Sequence, residues 1–460
     1  MRILSPPVYD ESYVPFSSSP LRASRYNVLL PEDPGAGRGA LIFNTLSGAA
    51  AELTGPEAGL LSRLAEGNLS LRESLAGLSI INSLYKNGFV VSRNKNEPGR
   101  VMAERLYWRT NQEHLDLTIV PTLACNFTCV YCFEKKSPLR LSGKDRRDIV
   151  DFCARIIGPQ TRSVVLHWYG GEPTLRVDDI RRLSPPILRR VEETGCSFVS
   201  EIYTNAWKLD EAMCRVLREE CRVTTLMISL DGPKEVHNSM RSGPGGIGDF
   251  DVIMERIKLA LRYFHVKLRI HCHTRNCGRV EELLGQLHGL GFQTMGGPFG
   301  NKLFVHFSKL YNFSSACKHV KEIRIPHQDW GDLQCDYMEC AQAFGFRVDW
   351  LPKRQMGKYC NSQREYAYVI APRGYLFKCY RDDFADPRQS VGRISDPEIP
   401  RKYVQGEDAT DRPECQDCLY LPVCSGFCPL SAWAESPCTH FKGNLERRLL
   451  NLWKQPAASS

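Results

Sequence analysis

The sequence predicts an α/β protein built on a parallel sheet, with a smaller mixed unit before it and a cysteine-rich unit after it. Three observations predict this. Strand-like runs alternate with helical stretches through the middle of the chain; three closely spaced cysteines follow the first of those strands; and seven more cysteines crowd the C-terminal quarter.

Leu115–Val120 (LDLTIV) alternates apolar and polar residues as a strand does, and Lys144–Gly158 carries apolar positions at helical spacing. Strand-like runs recur at Val164–Trp168, Phe198–Tyr203, Thr225–Leu230, Val266–His273 and Leu303–Phe307. Helical stretches lie between them at Asp179–Glu193, Asp210–Glu220, Val252–Phe264 and Arg279–Leu290. Six strand–helix units in alternation imply a parallel sheet, open or curled. Near the N-terminus, Tyr26–Leu30, Ala40–Asn44 and Gly88–Val91 read as short strands, with helices around Pro56–Ala65 and Ser70–Lys86. Phe441–Trp453 is an amphipathic helix bearing Arg447 and Arg448, suited to packing rather than to a membrane surface.

At 460 residues, the chain is long enough for two or three domains. Its composition, 42% hydrophobic and 24% charged, is that of a globular protein. The net charge of +8 is spread among acids without a polybasic tract, so a solvated surface is expected rather than nucleic-acid binding. Nineteen cysteines, an odd number, occur with no secretory signal and no apolar run of membrane-spanning length. The expectation is a cytoplasmic protein whose cysteines bind metal.

Cys125, Cys129 and Cys132 stand in the stretch CNFTCVYCFE with the spacing C-x3-C-x2-C. A structural zinc takes four ligands, commonly from paired C-x2-C units. Three thiolates instead suit a four-iron four-sulfur cluster with one iron left open to a further ligand. Three unrelated buried cysteines are the plainer alternative. The pattern resembles the signature of the radical SAM enzymes, and this resemblance implies a partial barrel of six strand–helix units with its chemistry at the C-terminal strand ends. It also implies a [4Fe–4S] cluster on these cysteines that reductively cleaves S-adenosylmethionine to a 5′-deoxyadenosyl radical.

Further motifs follow successive strands in the family's order. Gly170-Gly171-Glu172-Pro173 resembles the element that meets the methionyl amino group. Thr204-Asn205 stands where the family has Thr-Asn-Gly, with Ala206 in place of the glycine. Ser229-Leu230-Asp231-Gly232-Pro233, then His237-Asn238 and Arg241, is similar to a block of the peptide- and protein-modifying branch. By this resemblance Ser229 and Asp231 lie near the cofactor's ribose or carboxylate, and Arg241 pairs with the carboxylate, which its guanidinium fork suits. Tyr131 and Asn276 are further expected cofactor contacts. No catalytic acid or base stands out; His271, His273 and Tyr203 lie near strand ends but read as structural.

The C-terminal cysteines read Cys360-x13-Gly374-x4-Cys379, then Cys415-x2-Cys418-x5-Cys424-x3-Cys428, then x9 to Cys438. Gly374 marks a hairpin presenting Cys379. Zinc ribbons use similar pairs, but behind a radical SAM core the order resembles the SPASM auxiliary-cluster domain. That resemblance implies two auxiliary [4Fe–4S] clusters, the outer on Cys415, Cys418, Cys424 and Cys438, the inner on Cys360, Cys379 and Cys428. The fourth inner ligand would be Cys340 or Cys335, or the inner cluster keeps an open iron. Cys153, Cys196, Cys214, Cys221, Cys272, Cys277 and Cys317 read as packing residues.

The N-terminal part resembles the winged-helix domains that dock leader peptides by adding a strand to a sheet edge. The expected division is a flexible segment over 1–24, a winged-helix-like leader-peptide domain over 25–108, the partial barrel over 112–325, a bridging segment over 326–359, the SPASM domain over 360–445 and a tail over 446–460. The resemblance identifies a radical SAM/SPASM peptide maturase that cross-links a ribosomally made precursor through a carbon–carbon or thioether bond. Its partners would be a precursor peptide with a leader and a reductant such as flavodoxin or ferredoxin. Two alternatives are an anaerobic sulfatase-maturating type that oxidises Cys or Ser to formylglycine, and a non-catalytic, zinc-stabilised binding protein.

Overall fold

The computed structural model describes residues 1–7, 20–33, 35, 37–67, 78–246, 248–293, 300–311, 320–352, 360–398, 412–424 and 441–455. The chain divides into two compact units, Met1–Trp108 with Asp349–Tyr359 and Gly406–Ser460, and Arg109–Val348 with Cys360–Gln405.

The first unit begins with β1 (Arg2–Ser5), β2 (Leu21–Ala23), β3 (Asn27–Leu30), β4 (Ala40–Asn44), β5 (Ala50–Leu53), α1 (Gly55–Glu66), α2 (Leu78–Lys86), β6 (Val90–Ser92) and α3 (Glu97–Thr110). Four strands form an antiparallel sheet in the order β1-β5-β4-β3, while β2 pairs with β6. Pro56 opens α1, Glu57 accepts a 2.9 Å bond from Thr54 N at its start, and Gly67 in the left-handed region ends it. Leu60, Leu61, Leu64, Ile81 and Leu84 pack this helix pair on Ile42, Ala51 and Leu53.

The second unit carries β7 (His114–Ile119), β8 (Thr128–Cys129), α4 (Gly143–Ile156), β9 (Ser163–Trp168), α5 (Val177–Thr194), β10 (Ser197–Thr204), α6 (Glu211–Arg215), β11 (Thr225–Ser229), α7 (Lys234–Met240), β12 (Arg241–Ser242), α8 (Phe250–Tyr263), β13 (His265–Cys272), α9 (Val280–Gly289) and β14 (Leu303–Lys309). All six expected strands are present and pair in parallel in the order β14-β13-β11-β10-β9-β7. The two ends of this set are not hydrogen-bonded to each other, so the sheet does not close.

Along these strands the apolar positions alternate. Leu115, Leu117, Ile119, Leu166, Trp168, Ile228, Leu268 and Ile270 are buried on one side. The intervening positions are polar: His167 lies 3.6 Å from both Asp116 and Glu201, and Lys267 bonds Glu201 at 2.6 Å. Buried parallel sheets are ordinarily apolar on both faces, so a polar inner face costs stability unless something uses it.

After α10 (Val320–Ile323) and α11 (His327–Ala343), β15 (Ala367–Ala371) joins the sheet parallel to β7, and β16 (Tyr375–Phe377) and β17 (Gly392–Arg393) continue it antiparallel. The expected hairpin at Gly374 is present: three residues, Pro372 to Gly374, join paired Ala371 and Tyr375, and Arg373 and Gly374 both have positive φ, 69° and 72°. The expected 360–445 domain is thereby divided. Its first part extends the sheet, because β15 supplies an edge partner for β7, and residues from Gly406 onward group with the first unit. There α12 (Pro413–Gln416), α13 (Leu421–Cys424) and α14 (Phe441–Trp453) complete the chain, and Val423, Leu445 and Leu449 cover Leu30, Leu41 and Phe43. The helix expected over Ser70–Lys86 is seen from Leu78; its earlier residues lie outside the described ones, as do Cys317, Cys428 and Cys438.

Lys378 anchors β16 from inside. Its buried ammonium donates to the carbonyls of Arg364, Glu365 and Ala367 at 2.9, 2.8 and 2.8 Å and sits 4.1 Å from the Tyr368 ring. Lys378→Ala would leave three carbonyls without this donor, and a loss of about 2–4 kcal/mol is expected, read as a lower midpoint in urea unfolding. An unchanged midpoint would show that water replaces the ammonium at no cost.

Candidate active site

The loop after β7 folds back on itself. Leu123 N donates to Leu139 O at 2.9 Å, and Val130 N to Met240 O at 3.0 Å. β8 pairs with β12, setting Cys129 opposite Arg241. Cys125, Cys129 and Cys132 thereby line one cavity at the C-terminal strand ends, with Gly170, Gly171 and Glu172 after β9, Thr204 and Asn205 after β10, Ser229, Arg241, and Arg269 and His271 of β13. The cavity has a volume of about 190 Å³ and opens to solvent.

Burial pushes the Cys125 thiol up to about 11 and the Cys132 thiol to about 12. Phe127 N points at Cys125 Sγ from 3.4 Å. Cys379 repeats the arrangement, taking a 3.4 Å bond from Arg381 N, and burial, with Cys360 as one further cause, raises its thiol to about 12.

Gly170 and Gly171 serve the cysteine loop itself. A Cβ at Gly170 would lie 2.6 Å from Thr122 O, and one at Gly171 2.3 Å from Ala124 O. Backbone bonds seal the contact: Gly171 N to Thr122 O at 3.1 Å and Glu172 N to Ala124 O at 2.9 Å. Glu172 is 1% exposed. Its carboxylate accepts from Thr174 N (3.0 Å), Thr174 Oγ1 (2.6 Å), Thr204 Oγ1 (2.7 Å) and Asn205 N (2.7 Å). Only the Asn205 bond falls on Oε2, so this oxygen keeps capacity for an ammonium hydrogen. Burial raises the Glu172 carboxyl, and these bonds oppose the rise. Asn205 Nδ2 reaches Asn126 Oδ1 at 2.9 Å, and Ala206 takes the left-handed conformation, φ 64°, that the family's glycine would occupy.

Three expected cofactor contacts lie behind the wall. Asp231 is fully buried and is not part of the lining. It receives the Tyr131 hydroxyl and faces His271 Nδ1 at 2.8 Å, while Arg241 Nη1 donates to Tyr131 Oη at 2.7 Å. Burial would raise this carboxyl, but His271 and Arg241 outweigh it and hold it well below the carboxylate range. Burial itself lowers His271. Asn276 gives both amide hydrogens to the carbonyls of Asp231 and His271, at 2.6 and 2.8 Å, and accepts from His273 N at 2.8 Å, so it clamps two strand ends together. Pro173 is buried at the start of a short helical turn and is likewise absent from the lining. Conversely, Tyr169, Tyr203, Arg269 and His271 line the cavity. The alternation of β10 and β13 could have flagged Tyr203, Arg269 and His271, which share the face of Glu201 and Lys267.

Cys360 precedes a short turn before β15, and Cys379 follows β16. Cys415, Cys418 and Cys424 lie in and beside α12 and α13 of the other unit. Cys340 sits on α11, with burial and nearby Glu281 of α9 raising its thiol, and Cys335 is fully buried on the same helix.

The Radical SAM superfamily description matches residues 119–285. The chain carries a radical SAM domain. It is 22% identical over 331 residues to the serine-type anaerobic sulfatase-maturating enzyme of Klebsiella aerogenes, covering 66% of this chain and 77% of that one. The cysteine-type enzyme of Clostridium perfringens is 26% identical over 164 residues, 34% and 44% of the two chains. The structure of native anSMEcpe with bound AdoMet and Cp18Cys peptide matches in fold at a TM-score of 0.58 and 18% identity, over 74% of this chain and 99% of that one. The chain thus carries the catalytic domain of radical SAM enzymes, against the zinc-stabilised, non-catalytic alternative. Among the described residues no three His, Cys, Asp or Glu side chains converge on a single metal ion, and no helix is long and apolar enough to cross a membrane.

The family implies a [4Fe–4S] cluster and S-adenosylmethionine, and the residues fit both. Three thiols share one wall, an N–H points at Cys125 sulfur, Glu172 Oε2 retains an acceptor position, and Arg241 Nε is buried without a partner. Gly171→Ala is expected to force the cysteine loop outward. The purified protein should retain far less visible iron–sulfur absorbance, and should lose about 1–3 kcal/mol of stability. Glu172→Gln places an amide NH2 where a carboxylate accepts, costing a similar amount, and should weaken S-adenosylmethionine binding in equilibrium dialysis.

Proposed function

We propose that this radical SAM enzyme is a peptide maturase that installs an intramolecular carbon–carbon or thioether cross-link in a ribosomally made precursor. The observation that carries the reading is the reach of the cavity. Tyr169 lines it and packs against Tyr380 with ring centroids 4.9 Å apart, and Tyr380 directly follows Cys379. A cofactor held at Cys360 and Cys379 would thus stand beside the reacting substrate. The sheet of the first unit supports a peptide partner: among the described residues β3 pairs only with β4, leaving one edge to accept an added strand.

When bound, the cluster and S-adenosylmethionine supply radical chemistry able to remove hydrogen from an unactivated carbon. The chain's own residues do the rest. Glu172 and Arg241 would take the ammonium and carboxylate of S-adenosylmethionine, Ser229 and Tyr131 line the same cavity, and Tyr169, Tyr203 and Phe127 would exclude water around the substrate. A cross-link removes two hydrogens, one as an atom and one as an electron plus a proton. The auxiliary sites, Cys360, Cys379 and Cys428 for one and Cys415, Cys418, Cys424 and Cys438 for the other, would receive that electron. A flavodoxin or ferredoxin would return electrons to the first cluster.

A second reading is favoured by the curated relatives, which are anaerobic sulfatase-maturating enzymes. It would have the chain oxidise a Ser or Cys to formylglycine.

Anaerobic incubation of a neighbouring precursor peptide with reductant and S-adenosylmethionine tests both. Loss of two hydrogen atoms, with 5′-deoxyadenosine formed in step and no backbone fragments between the joined residues, is expected. A product that reacts with hydrazide and fragments throughout would instead establish the formylglycine reading.

A further inference from the structure

Arg269 projects from β13 toward the inner, polar side of the sheet and lines the cavity. Nη2 donates to Ser308 Oγ at 3.1 Å, and Nε is buried with no hydrogen-bond partner. Among the described residues no carboxylate forms an ion pair with it, although neighbouring Lys267 on the same face is paired with Glu201. On this half-buried side chain, a buried N–H without a partner costs stability unless an acceptor arrives. Burial lowers the neighbouring His271 imidazole, Asp231 opposes the shift, and Arg269 adds to it. Lys309, at the end of β14, adds a second cation to the same side of the lining.

The cavity holds another guanidinium, but in a different place. Arg241 is paired through backbone bonds with Cys129 and belongs to the cysteine loop, where S-adenosylmethionine would lie. Arg269 stands on the fourth strand away from β7 in the sheet order. Of the two carboxylates in the lining, Glu172 is committed to the strand ends, and Glu134 is bonded to Tyr169 and faces Lys136.

We propose that Arg269 binds a carboxylate side chain of the substrate, so that the peptide segment entering the cavity carries Asp or Glu at or beside the reacting residue. The inference rests on the peptide-maturase reading and adds the chemical class that the cavity selects. A guanidinium that turns two N–H groups to a planar carboxylate makes a two-bond contact that Lys cannot reproduce. The methionine carboxylate of S-adenosylmethionine is the other source of the same chemistry.

The test uses the full-length, reconstituted enzyme with unreactive conditions (no reductant). Fluorescein-labelled decapeptide pools, identical except for Glu, Asp, Gln or Lys at a fixed central position, are titrated by anisotropy. S-adenosylmethionine and its decarboxylated analogue are titrated in parallel. The wild type should bind the Glu or Asp pool about tenfold tighter than the Gln pool. Arg269→Gln should abolish that preference, Arg269→Lys should keep part of it, and Arg269→Glu should turn it toward the Lys pool, all three with S-adenosylmethionine affinity intact.

A preference that survives in Arg269→Gln would overturn the proposal while leaving the peptide reading standing. If Arg269→Gln weakens S-adenosylmethionine but not the decarboxylated analogue, Arg269 serves the cofactor and the proposal falls. If no pool binds the wild type, the peptide reading fails together with it. Thermal melts of the three variants show whether each is folded, and Arg269→Lys, the least disruptive, decides the matter should Arg269→Gln unfold.

Discussion

The candidate site depends on one contact: the backbone of Gly170 and Gly171 laid against the backbone of Thr122 and Ala124. At 2.3–2.6 Å from where a Cβ would stand, no other residue type fits without moving the cysteine loop. Glu172 extends this contact sideways, its carboxylate gathering Thr174, Thr204 and Asn205. Three loops from β7, β9 and β10 become one rigid surface, and the thiols of Cys125, Cys129 and Cys132 inherit its geometry. A cluster-binding loop without such support would have to be ordered by the metal alone.

The polar inner face of the sheet follows the same logic. Asp116 lies 3.6 Å from Arg364 and Glu201 pairs with Lys267 at 2.6 Å, so these charges on the inner face of the sheet are paired. Where the pairing stops, at Arg269, the cavity begins. A buried carboxylate, Asp231, holds Tyr131, His271 and Arg241 in fixed positions and never meets the cavity itself. It acts on a ligand through those three residues.

Much of this was legible in the sequence because the strands carry strict alternation. All six central strands and the helices between them appear within a few residues of where periodicity puts them, and the turn at Thr204-Asn205 survives its missing glycine because Ala206 tolerates a positive φ. Motifs located the strand ends well and the roles of single residues less well. Asp231 and Asn276 stand in family motifs, yet each has its hydrogen-bonding groups turned inward to neighbouring strands, and linear spacing carries no sign of which way a side chain at a strand end will turn. Arg269 was hidden for the opposite reason: it belongs to no motif, and only its shared face with Glu201 and Lys267 gives it away, while Tyr203 and His271 were noticed at their strand ends but read as structural. The division of residues 360–445 depended on β15 finding the edge of β7, a pairing between segments some two hundred and fifty residues apart, and contacts at that separation leave little local trace.

The central claim is that the three cysteines hold a cluster with one iron open to S-adenosylmethionine. Electron paramagnetic resonance of the reduced protein, recorded with and without S-adenosylmethionine on a variant in which the cysteines of both proposed auxiliary sites (Cys360, Cys379, Cys428, Cys415, Cys418, Cys424 and Cys438) are replaced, tests it most directly. The account predicts a single-cluster signal whose g-values shift when S-adenosylmethionine is added. A signal that S-adenosylmethionine leaves unchanged, or one that persists after Cys125, Cys129 and Cys132 are replaced by alanine, would contradict it.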